Sequence, residues 1–166
     1  MAAITLHGTK INTNGDLPAV GSQAPEFKLA DGELADRGLS DYSGKKKLLN
    51  IVPSLDTDVC ATSTKYFNNA AKGRDDVVML IVSADLPFAS GRFCTGEKLG
   101  NVIPLSMMRS KNFAKDYGVL ITDGPLAGIT ARAVVVLDEN DKVLYTEMVP
   151  EIAQEPDYDK AIAALA

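Results

Sequence analysis

The sequence predicts a single α/β domain, residues 1–166, in which helices flank a mixed central β-sheet. The chain length suits one domain, and 46% hydrophobic with 23% charged residues is ordinary for a folded globular protein. From residue 46 onwards, short apolar stretches alternate with helical patterns. No internal repeat or low-complexity linker interrupts this alternation. These observations together favour one α/β core.

The first 30 residues favour β-structure and an N-terminal β-hairpin. Residues 3–7 alternate between apolar and polar side chains, and the sequence NTNG at 12–15 is a strong turn signal. The apolar segment at 27–30 follows a loop rich in Gly, Ser and Pro. We therefore expect one or two hairpin strands at the edge of the sheet.

The next part of the chain predicts a β–α–β crossover. Residues 46–54 form a short apolar strand, which Pro53 ends because it has no N–H to give to a ladder. Residues 58–72 predict a helix that Gly73 stops. The nearly continuous apolar run at 76–85 is typical of a strand covered on both faces. The apolar side of the helix is expected to hold Val59, Tyr66, Phe67 and Ala70.

The last part predicts a second helix, a further strand and helix, a hairpin and a closing helix. Pro87 opens the second helix, which carries Cys94. Pro104 places the strand at 101–106 at an edge or in an irregular position. A short helix at 110–117 and a hairpin at 131–149 come next, and a final helix begins after Pro156.

Charge and hydropathy limit the possible partners. The net charge is −5, from 17 basic and 22 acidic residues, so we expect no nucleic-acid partner. No stretch approaches the ~18 uncharged apolar residues of a membrane span, and the N-terminus carries no apolar signal core. We therefore expect a cytoplasmic protein that does not enter a membrane.

Two cysteines, Cys60 and Cys94, and a single histidine are too few for a disulfide-stapled scaffold or a usual zinc site. That leaves redox or catalytic chemistry, or simple burial, and an isolated free cysteine is more often a buried apolar residue. Cys60 differs because it lies in the first turn of the predicted helix, three residues after Thr57. Unpaired N–H groups and the helix dipole favour an accessible thiolate there.

Four ordered blocks of the chain resemble a known family. Pro53, Thr57 and Cys60 form the pattern Pro-x-x-x-Thr-x-x-Cys of peroxiredoxins, which reduce hydroperoxides on a thioredoxin-like fold. The segments SADLPFASGRFC at 83–94, DGPLAG at 123–128 and ARAVVVLDENDKV at 131–143 resemble the thiol peroxidase branch, an atypical two-cysteine group. The resemblance covers nearly the whole chain.

The resemblance implies a set of roles. Cys60 would be the peroxidatic cysteine and Cys94 the resolving cysteine, with Pro53, Thr57 and Arg132 completing the site. It further implies an intrachain disulfide recycled by thioredoxin, a homodimer, and neither a metal nor an organic cofactor. Hydrogen peroxide and organic or lipid hydroperoxides are the implied substrates, with an apolar rim from the loop at 121–128.

Physical reasons support some of these roles independently. Lowering a thiol pKa from ~8.5 to about 6 requires roughly 3.4 kcal/mol, of which a helix N-terminus supplies only ~0.3 to 1 kcal/mol at an exposed site. Arg132, which is always charged, is the candidate for the remainder. Thr57 is the predicted helix N-cap, and we expect its hydroxyl also to contact the peroxide or the sulfur. Asp56 and Asp58 oppose a nearby thiolate, so we expect Asp58 to face solvent.

Two other functions stay open at this stage. A thioredoxin-type thiol–disulfide oxidoreductase would share the fold class, but it normally has a Cys-x-x-Cys pair, and Ser63 stands three residues after Cys60. A non-catalytic binding module would use both cysteines for packing. For the peroxidase, we expect a Cα separation between Cys60 and Cys94 above the ~7 Å that a disulfide tolerates, so that both helix ends must unravel before the bond forms.

Overall fold

The computed structural model describes residues 2–166, which form nine strands, four α-helices and a short 3-10 helix, Leu39–Tyr42. The strands are β1 (Ala3–Leu6), β2 (Thr9–Asn12), β3 (Leu29–Ala30), β4 (Asp36–Arg37), β5 (Lys46–Ile51), β6 (Val77–Ser83), β7 (Ile103–Ser106), β8 (Ala133–Leu137) and β9 (Val143–Met148). The helices are α1 (Asp58–Ala71), α2 (Pro87–Gly96), α3 (Asn112–Asp116) and α4 (Tyr158–Ala163). No helix in this part of the chain has the length and apolar character needed to cross a membrane.

Seven strands form one mixed sheet in the order β4-β3-β7-β6-β5-β8-β9. Strands β5, β6 and β7 are parallel, while β8 is antiparallel to both β5 and β9. The predicted mixed sheet with flanking helices is confirmed. In this order β6 is the central strand, and β5, which leads into α1, lies between β6 and β8.

Each face of the sheet carries its own apolar layer, because successive side chains of a strand point to opposite faces. On one face Leu49 and Leu80 pack with Phe113 and Tyr117 of the α3 region. On the other face Leu48 and Ile81 pack with side chains of α1, α2 and α4, and both cysteines belong to this layer. Helices α1 and α2 therefore pack on the same face of the sheet.

The N-terminal hairpin differs from its prediction in two ways. It forms a separate two-stranded sheet, β1–β2, instead of an edge of the central sheet. Its turn lies at His7 and Gly8, whose φ angles of 49° and 81° suit a two-residue hairpin turn of the primed type. The NTNG segment follows β2 instead of joining the two strands. The hairpin packs through Ile4 and Ile11 on a third apolar cluster that includes Ile152.

Two further details of the prediction were right only in part. Strand β7 is not an edge strand, since β6 and β3 flank it. Pro104 is nevertheless tolerated, because β3 pairs with β7 only at Ser106. On α1, the predicted Phe67 is buried and Ala70 packs on the same apolar layer, but Tyr66 is exposed. The buried residues of this helix are Cys60, Ser63, Thr64, Phe67, Asn68 and Ala71.

Candidate active site

Cys60 lies in the first turn of α1, where β5 delivers the chain through a short bend at 52–57. The residue is 0% exposed and packs in the apolar layer with Val52 and Leu55. The sequence predicted the helical position correctly. It also predicted an accessible sulfur, whereas the Cys60 side chain is buried in this structure.

Arg132 lies beside this sulfur. It is 2% exposed and stands just before β8, whose residue Ala133 pairs with Ile51 at the end of β5. One guanidinium nitrogen donates to Sγ of Cys60 at 3.1 Å, and Nε donates to the Ile152 carbonyl at 2.8 Å. The sheet register therefore brings together two residues that are distant in sequence.

The guanidinium has no carboxylate partner within 4.0 Å anywhere in residues 2–166. Buried charges in proteins are normally paired, because burying an unpaired charge is costly. Arginine stays protonated at any physiological pH, so it cannot avoid this cost by losing its proton. Of the two acceptors it contacts, only the sulfur of Cys60 can carry a negative charge.

Thr57 occupies the N-cap position of α1 with an extended backbone, φ −127° and ψ 149°. Its side chain does not cap the helix, because its hydroxyl donates to the Ser54 carbonyl at 3.0 Å. The predicted capping bond is therefore wrong, and among the described residues the hydroxyl makes no hydrogen bond to the sulfur. Pro53 is buried in the bend directly before Ser54. Asp58 is exposed, as expected.

Polar side chains hold the backbone of Cys60 through hydrogen bonds. The hydroxyls of Ser63 and Thr64 both donate to the Cys60 carbonyl, at 3.1 and 2.8 Å. The amide of Asn50 in β5 donates in turn to the Ser63 hydroxyl at 3.1 Å. Because these buried hydroxyls are hydrogen-bonded within their own helix, a polar face of α1 can lie on the sheet.

Asp85 joins the bend to the start of α2, and no sequence pattern singled it out. Its carboxylate accepts hydrogen bonds from the Ser54 hydroxyl and the Leu55 N–H, both at 2.7 Å, and from the Ser83 hydroxyl at 3.0 Å. Its carbonyl accepts from the Ser106 hydroxyl at 2.5 Å. A turn position two residues before Pro87 is the one local signal that could have indicated a structural role.

Cys94 lies near the end of α2, half-buried against the apolar layer that contains Cys60. Both cysteines are free thiols. Burial raises the pKa of the Cys94 thiol above its ordinary value, so this thiol stays protonated at neutral pH. Within residues 2–166, no cluster of three or more His, Cys, Asp or Glu side chains could hold a metal ion.

A cavity of about 490 Å³ separates the bend from α2. Leu55 and Asp56 line it on one side, and Ala89, Arg92 and Phe93 line it on the other. The loop at 121–128 does not contribute to it. Leu126 of that loop packs on the third cluster beside the N-terminal hairpin, so the structure gives no apolar rim from this loop at the cavity.

Comparison with known proteins identifies the family. Residues 19–162 match the Redoxin family model. The chain is 54% identical to proteins named thiol peroxidase from Mycobacterium bovis and Mycobacterium tuberculosis, over 99% of this chain and 99% of each relative. The chain belongs to the thiol peroxidase group of peroxiredoxins.

Solved structures agree with this assignment. A peroxiredoxin-like protein from Aquifex aeolicus superposes with a TM-score of 0.93 at 38% identity, over 99% of this chain and 96% of the other. A thiol peroxidase from Chromobacterium violaceum gives a TM-score of 0.90 at 26% identity, over 96% and 93%. The thioredoxin-like fold is thereby confirmed, and this thiol peroxidase is an enzyme that takes a peroxide substrate and a thiol reductant.

Proposed function

We propose that this thiol peroxidase reduces hydroperoxides at Cys60, with Arg132 as the residue that stabilises the reacting sulfur. The observation that carries the proposal is the 3.1 Å contact between Sγ and a buried guanidinium that has no carboxylate partner in the described part of the chain. A positive charge beside the sulfur favours the thiolate, which is the nucleophilic form.

The first chemical step follows from this contact. The Cys60 thiolate attacks the terminal peroxide oxygen, the O–O bond breaks, and the leaving alkoxide or hydroxide takes a proton to give an alcohol or water. The sulfur is oxidised to sulfenic acid and the peroxide is reduced. In this step Arg132 can stabilise the negative charge first on the sulfur and then on the leaving oxygen, because a guanidinium has several N–H donors in one plane.

The second step makes Cys94 the resolving residue. Its sulfur displaces the sulfenic hydroxyl of Cys60, which forms an intrachain Cys60–Cys94 disulfide and releases water. Only a thiolate attacks efficiently, and burial keeps Cys94 protonated in the folded helix. Partial unwinding of α2 would return this thiol to water and let it reach Cys60. A thioredoxin would then reduce the disulfide through thiol–disulfide exchange and regenerate both thiols.

Pro53 and Thr57 shape the entrance to Cys60 in this proposal. Pro53 is buried in the bend and excludes water from one side of the sulfur. Thr57 is exposed, and its hydroxyl can exchange the Ser54 carbonyl for a peroxide oxygen when the substrate binds. Leu55, Ala89 and Phe93 give the adjoining cavity an apolar part, which favours organic and lipid hydroperoxides besides hydrogen peroxide. The homodimer and the cytoplasmic location stay predictions.

One experiment tests the proposal directly. Reduced protein is mixed with one equivalent of hydroperoxide and its free thiols are counted, and the measurement is repeated on Cys94→Ser with a sulfenic-acid trap. We expect rapid loss of both thiols in the parent protein and a trapped adduct on Cys60 in the variant. Slow and equal reaction at both cysteines would instead support packing roles. Failure of Cys60→Ser to abolish turnover would also contradict the proposal.

A further inference from the structure

We propose that Asp85 is a positioning residue that holds the bend over Cys60 closed, and so sets the balance between the folded site and the opened state in which Cys94 reaches Cys60. The inference rests on the proposed roles of the two cysteines. It assigns to Asp85 control over the second chemical step, in which the Cys60 sulfenic acid and the Cys94 thiol form a disulfide and water.

The contacts of Asp85 join a fixed part of the molecule to a part that must move. Its main chain is held at the ends of two parallel strands, because its carbonyl accepts from the Ser106 hydroxyl and its N–H donates to the Ser83 hydroxyl. Both serines are buried at the ends of β7 and β6. The carboxylate of Asp85 is therefore presented from a rigid edge of the sheet.

The same carboxylate binds the bend. One oxygen accepts from the Ser54 hydroxyl and the other from the Leu55 N–H, each at 2.7 Å. The Ser54 hydroxyl also accepts from the Asp56 N–H at 3.1 Å, and the Ser54 carbonyl accepts from Thr57 at 3.0 Å. The Leu55 side chain lies in the apolar layer with Cys60. Release of the carboxylate would therefore free the whole segment that covers the sulfur.

Asp85 also lies just before the N-terminus of α2, the helix that must unwind. It is two residues before Pro87, the first residue of α2, and it lines the cavity between the bend and that helix. The cavity leaves part of the α2 face without packing against the bend. Hydrogen bonds to an ionised carboxylate are stronger than those between neutral groups, so the Asp85 carboxylate is a strong connection across this gap.

Asp85→Asn tests the inference because it keeps the shape of the side chain and removes its charge. The chain has no tryptophan, so disulfide formation is followed by rapid chemical quench and mass spectrometry after one equivalent of peroxide. We expect the sulfenic acid to convert to disulfide roughly tenfold faster than in the parent, which corresponds to about 1.4 kcal/mol. With excess peroxide, we expect a smaller fraction of irreversible sulfinic acid, because the sulfenic acid is consumed sooner.

Two further variants separate this role from general destabilisation. Asp76→Asn, before the opposite end of β6, is the matched control and should leave the disulfide rate unchanged. Ser54→Ala should accelerate the step less than Asp85→Asn, and the double variant should be no faster than Asp85→Asn alone, since both changes break the same tie. Additive effects, an unchanged rate or a slower step in Asp85→Asn would overturn the inference. A parent protein that forms no sulfenic acid would refute the proposed function instead.

Discussion

At the scale of single residues, Arg132 links the chemistry of Cys60 to the architecture of the chain. Its Nε is fixed by the Ile152 carbonyl while another nitrogen reaches the sulfur. Two hydrogen bonds in one plane restrict the guanidinium to a single orientation, which a lysine ammonium on a flexible stem would not reproduce. The role of Arg132 therefore depends on the orientation of its guanidinium as well as on its charge.

We predict that Arg132→Met lowers kcat/KM for hydroperoxide by about 10² to 10³-fold, the range seen when one preorganised donor to a developing charge is removed. Arg132→Lys should recover only part of this loss, because it restores charge without the planar fork. Alkylation of Cys60 at neutral pH should be slower in the Met variant, since the sulfur loses its charged partner. An unchanged alkylation rate would show that the contact does not stabilise the thiolate.

Stability measurements provide the control for this prediction. Methionine is apolar and of similar length, so the variant no longer bears the cost of burying a guanidinium that has no carboxylate partner in the described residues. We therefore expect the urea midpoint of Arg132→Met to match or exceed that of the parent. A loss of activity with an intact midpoint would assign the effect to the site, and not to unfolding.

At the scale of secondary-structure elements, α2 is weakly held for a helix that carries a reactive group. Only Pro87 and Ser90 are fully buried, and the N-cap residue Leu86 provides no side-chain hydrogen bond. The Ser90 hydroxyl is buried without a partner in the described residues. Phe88 is 68% exposed. Such an element opens locally at low free-energy cost, which suits a helix that must release Cys94.

Gly91→Ala tests whether unwinding of α2 limits disulfide formation. A methyl group at Gly91 would meet no atom within 4 Å, so the change adds no clash. Alanine stabilises a helix interior by about 1 kcal/mol relative to glycine. If α2 must unwind before the disulfide forms, that step should slow about fivefold and the fraction of sulfinic acid should rise. Rapid-quench mass spectrometry measures both.

Gly100→Ala is the matched control for this variant. Gly100 lies beyond the end of α2 and also has open space around its Cα. The same substitution there should leave the disulfide rate unchanged, because no helix is stabilised. Equal rates in Gly91→Ala and the parent would mean that α2 does not unwind in the slow step.

The sequence predicted the elements that local chemistry determines. Strand β5, its end near Pro53 and the helix from Asp58 follow from patterns within a few residues, and these were confirmed. The buried face of α1 was predicted only in part, because Ser63 and Thr64 bury their hydroxyls by bonding to the Cys60 carbonyl, a compensation that hydropathy does not reveal.

The contacts between distant parts of the chain could not be predicted from residue patterns. The closeness of Arg132 to Cys60 came from the family resemblance, since it depends on the register of β5 against β8. The Asp85 carboxylate and the Ile152 carbonyl became visible only in the folded structure, because nothing in their local sequence indicates what they bind. The hairpin turn was missed because His7 and Gly8 do not form one of the Asn-Gly, Asp-Gly or Gly-Gly pairs that usually mark such turns.

At the scale of the whole molecule, the N-terminal hairpin supports the site from the opposite end of the chain. The Ile152 N–H donates to the Thr5 carbonyl at 2.9 Å, and the Thr5 N–H donates to the Pro150 carbonyl at 2.8 Å. The segment after β9 is therefore held by β1, and it is this segment that supplies the Ile152 carbonyl to Arg132. The first and last parts of the chain thus fix the orientation of one catalytic candidate.

The Glu151 carboxylate makes this attachment dependent on pH. It accepts from the Thr5 hydroxyl and from the His7 N–H, and these hydrogen bonds, the Thr5 one foremost, hold the pKa of Glu151 below its ordinary value. For a carboxyl group with a lowered pKa, the stabilisation is present above the unfolded pKa and is lost as pH falls through the folded one. The free energy of unfolding should therefore decline as the pH falls below the ordinary glutamate pKa of about 4.5.

Glu151→Gln should make this decline shallower, because glutamine keeps a hydrogen-bond acceptor but cannot titrate. The urea midpoint measured across the same pH range gives the slope for each protein. Some decline should remain in the variant, since hydrogen bonds from Asn12 also lower the pKa of Asp123, which ties β2 to the loop at 121–128. Glu139→Gln, in the exposed turn between β8 and β9, is the control and should retain the slope of the parent. If both variants decline as steeply as the parent, the carboxylate of Glu151 does not hold the hairpin to the segment that orients Arg132.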